Sequence, residues 1–165
     1  MMGAVTGDVR IRRPEPHEAN AVAAVFIASF GTLTFLPKLH TDEETVDFIT
    51  NTVLLEQEVF VADLDGRIAG FVAMSNGDFL EHLYVHPDLQ GRGVGSALLR
   101  RAKERMLGGF RLWVFQANER ARRFYERHGL RIVELTDGSA NEEKTPDALY
   151  AWEPGDTDAR ATDAR

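Results

Sequence analysis

Residues 90–96 read Gln90-Gly91-Arg92-Gly93-Val94-Gly95-Ser96, and this glycine-rich segment lies between a predicted strand and a predicted helix. Glycine allows a sharp backbone turn and lets a ligand approach the amide groups closely. The first amide groups of a helix lack partners within the helix, so they can bind a phosphate or a pyrophosphate. The segment therefore predicts an anion-binding turn, in which Arg92 can add a bidentate contact and Ser96 a hydroxyl donor.

Two better-known phosphate-binding motifs do not fit this segment. A P-loop requires Lys followed by Ser or Thr, and a dinucleotide-binding fingerprint requires G-x-G-x-x-G with an acidic residue about twenty positions later. Here Gly91, Gly93 and Gly95 alternate with other residues, and the strand that follows the helix, 112–116, ends without an acidic residue. A tight strand-to-helix connection that binds nothing stays open as an interpretation of the segment alone.

The strand that precedes the segment has an irregular apolar pattern. In Phe79–Val85 the side chains of Leu83 and Val85 share one face, but Leu80 is out of phase with them. A β-bulge would restore the phase, and bulges are frequent beside active sites. A strand that is buried on both faces needs no such phase and is the alternative.

The remaining patterns predict helices and strands on both sides of the segment. A capping box at Thr41–Glu44 starts one helix, Asn118 caps another, and an Asp-Gly and an Asn-Gly pair mark hairpin turns. The predicted order is β-α-α-β-β-β-α-β-α-β-β, an α/β (α+β) fold in which a mixed sheet of six to seven strands is flanked by helices. The strands at 79–85 and 110–115 should be parallel because a helix connects them.

Length and composition limit the classes of protein to which the chain can belong. The 165 residues fit one domain, which we expect at 9–153, between a flexible leader at 1–8 and a disordered tail at 154–165. The net charge of −7 argues against a nucleic-acid partner, which requires clustered Lys and Arg. No apolar run reaches the ~20 residues of a membrane helix, and no cysteine is present for a disulfide or a thiolate metal site. We expect a cytoplasmic protein with no metal, membrane or nucleic acid as its partner.

Two motifs together resemble a known family. Leu83-Tyr84-Val85-His86-Pro87, followed by Gln90-x-x-Gly93-x-Gly95, resembles the acetyl-CoA signature Q/R-x-x-G-x-G/A of the GCN5-related N-acetyltransferases (GNAT). Further along, a strand leads into a helix that begins at Asn118 and carries Phe124 and Tyr125, which is similar to a later motif of the same family. The resemblance covers residues 9–153 and implies the GNAT fold and transfer of an acetyl group from acetyl-CoA to an amine.

The resemblance also implies how acetyl-CoA would lie. Backbone groups of Leu83, Tyr84 and Val85 would pair with the pantetheine arm as an added strand would. The Val85 amide would donate to the carbonyl oxygen as it gains charge. The amides of residues 91–96 would hold the pyrophosphate, and Asn118 would reach the pantetheine.

Three residues are candidates for proton transfer. Tyr125 stands at the family position of the general acid that protonates the leaving thiolate, and a plain packing role in its helix is the alternative. Glu81 lies on the strand beside the cofactor site and is the candidate base, directly or through water, against the alternative of a solvated carboxylate. His82 is the alternative base and a candidate contact to the substrate.

The loop at 35–40 precedes the second helix, in a region that commonly lines the acceptor site in similar proteins. We expect Phe35 and His40 to contact the acceptor, and the alternatives are a core phenylalanine and an ordinary loop histidine. The acceptor would be a small-molecule amine, a peptide N-terminus or a lysine. Dimers are frequent in similar proteins, so the resemblance also allows for a homodimer. A non-catalytic acyl-CoA-binding or sensing domain of the same fold is the alternative function.

Overall fold

The computed structural model describes residues 8–156, so that most of the predicted leader and tail lies outside the described residues. A seven-stranded sheet has the order β1-β2-β3-β4-β5-β7-β6, and its strands are β1 Val9–Arg12, β2 Glu58–Leu64, β3 Arg67–Ser75, β4 Phe79–Val85, β5 Phe110–Phe115, β6 Arg131–Leu135 and β7 Asp147–Trp152. Strands β4 and β5 are parallel, and the other neighbours are antiparallel. The predicted mixed sheet and its parallel pair are confirmed.

The helices lie on the two faces of this sheet. They are α1 Ala19–Phe30, α2 Asp42–Phe48, α3 Leu54–Glu56, α4 Val94–Arg105 and α5 Glu119–Arg127. A π-helical turn at Ile49–Val53 joins α2 to α3 without a break. These three pieces together form the second predicted helix, and the element order is therefore the predicted one.

Local sequence signals fix the ends of several elements. The Thr41 hydroxyl accepts the Glu44 amide at 3.1 Å, and the Glu44 carboxylate accepts the Thr41 amide at 2.8 Å, so the predicted capping box is present. The turn from β2 to β3 contains Asp65-Gly66, and the turn from β3 to β4 contains Asn76-Gly77. All four residues have positive φ, as the central residues of type I′ hairpin turns require.

Two hydrophobic layers enclose the sheet. One contains Leu80 and Phe110 and lies on the side of α4 and α5. The other contains Val25 and Phe71 and lies on the side of α1 and α2. Strand β4 is the fourth of seven strands and therefore has a covered position between both layers. Within residues 8–156, no helix is both long and apolar enough to cross a membrane.

Candidate active site

The bulge that the apolar pattern predicts in β4 is present at Glu81. Leu80 and His82 pair with consecutive residues of β3, so Glu81 is an extra residue in β4. As a result, Leu80 lies in the same core layer as Leu83 and Val85, although the spacing is odd. His82 faces the opposite side of the sheet, where a cavity lies. The bulge thus gives β4 an apolar face toward α4 and a functional face toward α1.

Beyond the bulge, β4 directs some of its backbone groups away from β3. The His86 amide donates to the Ala69 carbonyl at 2.8 Å. Hydrogen-bonded and non-hydrogen-bonded pairs alternate along an antiparallel ladder, so the backbone groups of Leu83 and Val85 point toward β5 instead. The pairing of β4 with β5 is at Phe79, the other end of β4. The edge at Leu83 and Val85 therefore borders a gap between the two strands, in which an extended amide chain can add.

Helix α1 binds one backbone group at this edge. The Ser29 hydroxyl, in a largely buried residue, donates to the Val85 carbonyl at 2.6 Å. This bond holds the end of β4 against α1 and leaves the Val85 amide facing the gap. An amide that is fixed in this way can donate to a ligand carbonyl without reorganisation. No sequence motif singles out Ser29, because a single hydroxyl among apolar residues forms no pattern.

The glycine segment forms the turn into α4. Gly91 and Gly93 have φ of +81° and +79°, and a Cβ added to either would meet no described protein atom within 4 Å. The space beside them is therefore open to a ligand. The Ala97 amide donates to the Gly93 carbonyl, which leaves the preceding amides, 94–96, without acceptors inside the helix. This is the arrangement of an anion-binding helix start.

The two sequence motifs meet in space. A Cβ on Gly95 would lie 3.3 Å from the Phe124 ring, so glycine allows α4 to start directly against α5. The Ser96 hydroxyl lies 3.1 Å from Nε2 of His128, at the end of α5. Ser96 therefore has a protein partner in addition to its position in the first turn of α4.

Helix α5 brings a tyrosine to the same region. Asn118 caps the helix as predicted, because its side-chain oxygen accepts the Ala121 amide at 3.2 Å. Tyr125 is 7% exposed, and its ring lies 5.2 Å from the Phe124 ring. Burial raises the pKa of Tyr125, and the nearby Tyr84 adds to the rise. The phenol is protonated at neutral pH, as it would be at its ordinary pKa, and has a proton to donate.

A cavity of about 760 Å³ lies on the α1 side of β4. Its walls come from α1, the loop after α1, α2, β4, the end of β5 and the loop between β6 and β7. The volume is in the range of sites that bind small molecules. Its aromatic lining residues are Phe26, Phe30, Phe48, Tyr84 and Phe115.

His82 lies among aromatic rings in this cavity. The rings of Phe26, Phe48 and Tyr84 are 5.7, 6.0 and 6.0 Å from its imidazole. Burial lowers the pKa of His82 to about 4, so the imidazole is neutral at pH 7. Among residues 8–156, its ring nitrogens have no hydrogen-bond partner. A neutral imidazole in this position can accept a hydrogen bond from an amine in the cavity.

A family model supports the same interpretation as this geometry. The model of the acetyltransferase (GNAT) family matches residues 28–130, which include β4, the glycine turn and α5. The chain belongs to the acetyltransferase (GNAT) family. It is accordingly an acyltransferase that depends on acetyl-CoA.

Relatives of this GNAT chain share most of its length. An N-acetyltransferase of Archaeoglobus fulgidus is 31% identical over an alignment of 150 residues that covers 81% of this chain and 100% of the relative. The peptidyl-lysine N-acetyltransferase YiaC of Escherichia coli is 26% identical over 142 residues, which are 86% of this chain and 95% of the relative. The similarity therefore extends across the whole GNAT domain of both proteins.

Solved structures share the fold. YjaB of Escherichia coli, in its apo form, has a TM-score of 0.73 at 24% identity and covers 90% of this chain and 99% of its own. The PaiA N-acetyltransferase of Thermoplasma acidophilum, solved with coenzyme A, has a TM-score of 0.69 at 20% identity and covers 88% of this chain and 99% of its own. These likenesses confirm the GNAT fold.

Two contacts hold the loop after α1 over the cavity of this GNAT domain. His40 Nε2 lies 2.9 Å from a Glu142 carboxylate oxygen, which joins this loop to the loop between β6 and β7. The hydrogen bond with Glu142 raises the pKa of His40. The Phe35 ring lies edge-on to the Phe115 ring at 6.1 Å, which joins the same loop to the end of β5.

The structure separates the residues that the sequence proposed for proton transfer and substrate contact. His82 and His40 line the cavity. Glu81 does not line it: the side chain is exposed and its carboxylate accepts the Ser75 hydroxyl at 2.6 Å. Phe35 is 39% exposed and packs outside the lining. The bulge thus places neighbouring residues of β4 in different surroundings.

Two further lining residues carry no sequence signal. Phe48 comes from the end of α2, and Glu143 comes from the loop between β6 and β7. Burial raises the pKa of Tyr84, and the charge of Glu143 adds to the rise. Asn141 donates to the buried Asp147 carboxylate at 3.1 Å, which ties this loop to β7. Their place in the cavity depends on long-range packing, for which no local motif exists.

Proposed function

We propose that this chain transfers the acetyl group of acetyl-CoA to a primary amine by direct attack of the amine on the thioester. The position of β4 between two sites carries the proposal. Its backbone at Leu83 and Val85 faces the gap beside the glycine turn, and its side chains at His82 and Tyr84 face the aromatic cavity. A thioester along the backbone edge and an amine in the cavity would meet at the end of β4.

The donor would lie in the gap, with its pantetheine amides paired to Leu83 and Val85. Its pyrophosphate would bind the free amides at 91–96, where the helix dipole favours negative charge. Arg92 is exposed beside this turn and can reach a phosphate. Asn118 follows β5, on the other side of the gap, where it can reach the pantetheine. None of these contacts or of the following steps uses a metal ion.

The acceptor amine must lose a proton before it attacks. A lysine-like amine with a pKa of ~10.4 is only ~0.04% neutral at pH 7, which costs about 4.6 kcal/mol, whereas an α-amine of pKa near 8 costs about 1.4 kcal/mol. An apolar cavity disfavours the charged form and so favours deprotonation. His82 can accept a hydrogen bond from the amine, and Glu81, outside the cavity, can take up the proton through water.

The thioester must be stabilised on both sides of the breaking bond. The Val85 amide would donate to the carbonyl oxygen as the new C–N bond forms. The leaving thiolate, whose thiol has an ordinary pKa of ~8.5, then needs a proton. Tyr125 is the proposed donor, because it is a neutral phenol at physiological pH. Its protonation is restored from solvent after coenzyme A leaves.

The acceptors that we propose are a small-molecule amine, a peptide N-terminus or a lysine, in the cytoplasm. The name of the relative YiaC states that it acetylates peptidyl-lysine, which supports a primary amine as acceptor here. All three classes present the same nucleophile to the end of β4. They differ in how much of the molecule must fit under the loop that holds His40.

Two measurements test the proposal. Calorimetry with acetyl-CoA measures donor binding, and a free-thiol assay with a panel of amines measures transfer. We expect tight binding, thiol release that depends on the amine, and an N-acetylated product by mass spectrometry. Binding without amine-dependent release would identify a non-catalytic acyl-CoA-binding domain instead, and no binding would contradict both functions.

A further inference from the structure

We infer that the acceptor is a free primary amine with an aryl or branched alkyl body, and that the Glu143 carboxylate receives its amino group. The inference rests on the proposed function and specifies the substrate of the same site. Three features carry it: the loop at the rim of the cavity, the chemistry of its walls and one lining carboxylate without a hydrogen bond or an ion pair.

The loop after α1 forms part of the rim of the cavity, where its His40 and the facing Glu142 are exposed to solvent. The pair of His40 and Glu142 joins this loop to a segment 102 residues away, and the contact of Phe35 with Phe115 joins it to β5. Lys38 also pairs with Asp42 at 2.9 Å, across the end of the loop. A lysine on a folded protein would bring its neighbouring residues against this rim. A free amine can enter the cavity of about 760 Å³ without such contacts.

The walls of the cavity favour an apolar body. Phe26 stacks on Phe30 at 5.4 Å and meets Tyr84 edge-on at 5.0 Å. The Phe48 ring lies edge-on to the His82 ring, with 6.0 Å between their centres. An aryl or branched alkyl group gains apolar burial and ring contacts in this environment. A second ammonium group would instead lose its hydration among the rings.

One carboxylate in the lining is available to an amino group. The lining contains four carboxylates, and three of them have polar partners: Asp42 pairs with Lys38, Glu142 with His40, and Glu44 with the Thr41 amide. Within residues 8–156, the Glu143 carboxylate has neither a hydrogen bond nor an ion pair. Glu143 is partly buried and acts electrostatically on Tyr84 of β4. This carboxylate can pair with the ammonium form of one acceptor amine as it binds, before the amine loses its proton and attacks the thioester.

A comparison of three acceptors tests the size and the polarity of the group that carries the amine. With saturating acetyl-CoA, thiol release is measured for 2-phenylethylamine, for 1,5-diaminopentane and for an N-terminally blocked peptide with one lysine. We expect kcat/KM for 2-phenylethylamine to exceed both others by about tenfold or more, because the cavity buries its ring. An equal or higher kcat/KM for the diamine or the peptide would overturn the inference and leave the proposed function intact. No thiol release with any amine would overturn both.

Two variants test the wall and the carboxylate, each with a matched control. Phe48→Ala should lower kcat/KM for 2-phenylethylamine about tenfold and change that for the diamine little, whereas Leu55→Ala, at a side chain that is 75% exposed on α3, should change neither. Glu143→Gln should raise KM for 2-phenylethylamine about tenfold without changing acetyl-CoA affinity, and Glu104→Gln on α4 should not.

Calorimetry with acetyl-CoA shows that each variant keeps a folded donor site. An unchanged KM in Glu143→Gln, with acetyl-CoA still bound, would overturn the role of Glu143. A preference for 2-phenylethylamine that survives Phe48→Ala would overturn the role of the aromatic wall.

Discussion

The donor side and the acceptor side of β4 are built from different parts of the chain. The donor side consists mainly of backbone: the open edge at Leu83 and Val85 and the amides of the glycine turn at 91–96. The acceptor side consists of side chains from four separate stretches of the chain, among them those of His82 and Glu143. A backbone site needs a short run of residues with particular conformations, whereas a side-chain site needs the whole fold. This difference explains why one site has a sequence signature and the other has none.

The largest effect that we predict is on the donor side. Gly93→Leu should weaken acetyl-CoA binding about a thousandfold, or ~4 kcal/mol. Gly93 has a φ of +79°, which costs a non-glycine residue ~1–2 kcal/mol, and its added side chain would enter the open space proposed for the pyrophosphate. Calorimetry measures the change in dissociation constant.

The control for this variant is Gly77→Leu. Gly77 has a φ of +72° and equally open surroundings, but it lies in the turn from β3 to β4, away from the proposed donor site. The same strain there should lower stability and leave the affinity for acetyl-CoA unchanged. Tight binding by Gly93→Leu would contradict a pyrophosphate site at this turn.

Tyr125 should show the next largest effect, on the rate alone. Tyr125→Phe should lower kcat about a hundredfold with little change in acetyl-CoA affinity, because it removes only the proposed proton donor. Steady-state thiol release gives kcat, and calorimetry gives the affinity. Tyr150→Phe is the control. Tyr150 is also a buried tyrosine, but it lies in β7, and its hydroxyl donates to the Glu126 carboxylate of α5 at 2.6 Å. Equal rates in Tyr125→Phe and the wild type would remove the acid role.

The sequence predicts the fold and the donor side for physical reasons. Capping at Thr41 and Asn118, the two hairpin turns and the phase shift at Leu80 are local effects, and the structure shows each of them. Ser29 bonds to a residue 56 positions further along the chain, and Glu143 lies in a loop that is tied to β7. No local pattern records such contacts, which is why the sequence proposed only His82 and two residues of the loop after α1 for the acceptor side.

The acceptor side should be the more sensitive of the two sides to acid. The pKa of His82 is lowered from 6.5 to about 4 by burial, so the unfolded chain binds a proton more readily between these values. The contribution of the neutral His82 to the free energy of unfolding is therefore complete above pH 6.5 and is lost as the pH falls toward 4. From pH 7 to pH 5 the free energy of unfolding should fall by about 2 kcal/mol through His82.

Urea unfolding of the wild type and of His82→Leu at both pH values isolates this contribution. The variant lacks the titrating group and should lose about 2 kcal/mol less than the wild type over this interval. Parallel pH profiles for the two proteins would show that His82 does not titrate with a lowered pKa.

Ser29 joins the two sides and should show the smallest effect. Ser29→Ala should lower the free energy of unfolding by about 1 kcal/mol, because the Val85 carbonyl loses its hydroxyl donor. Thr32→Val, which removes a hydroxyl bond to the Ser29 carbonyl at the exposed end of α1, should cost less. A larger loss of stability in Thr32→Val than in Ser29→Ala would show that the hydrogen bond from Ser29 to β4 contributes less than the bond from Thr32 to α1.

The transfer across β4 can be measured directly by product stoichiometry. Purified protein is mixed with acetyl-CoA and 2-phenylethylamine, and both coenzyme A and the N-acetylated amine are quantified over time. We predict that the two products appear at equal rates and that neither forms without the amine. Coenzyme A released at the same rate without amine, or no release with this or any other amine of the panel despite bound acetyl-CoA, would contradict acetyl transfer between the two sides of β4.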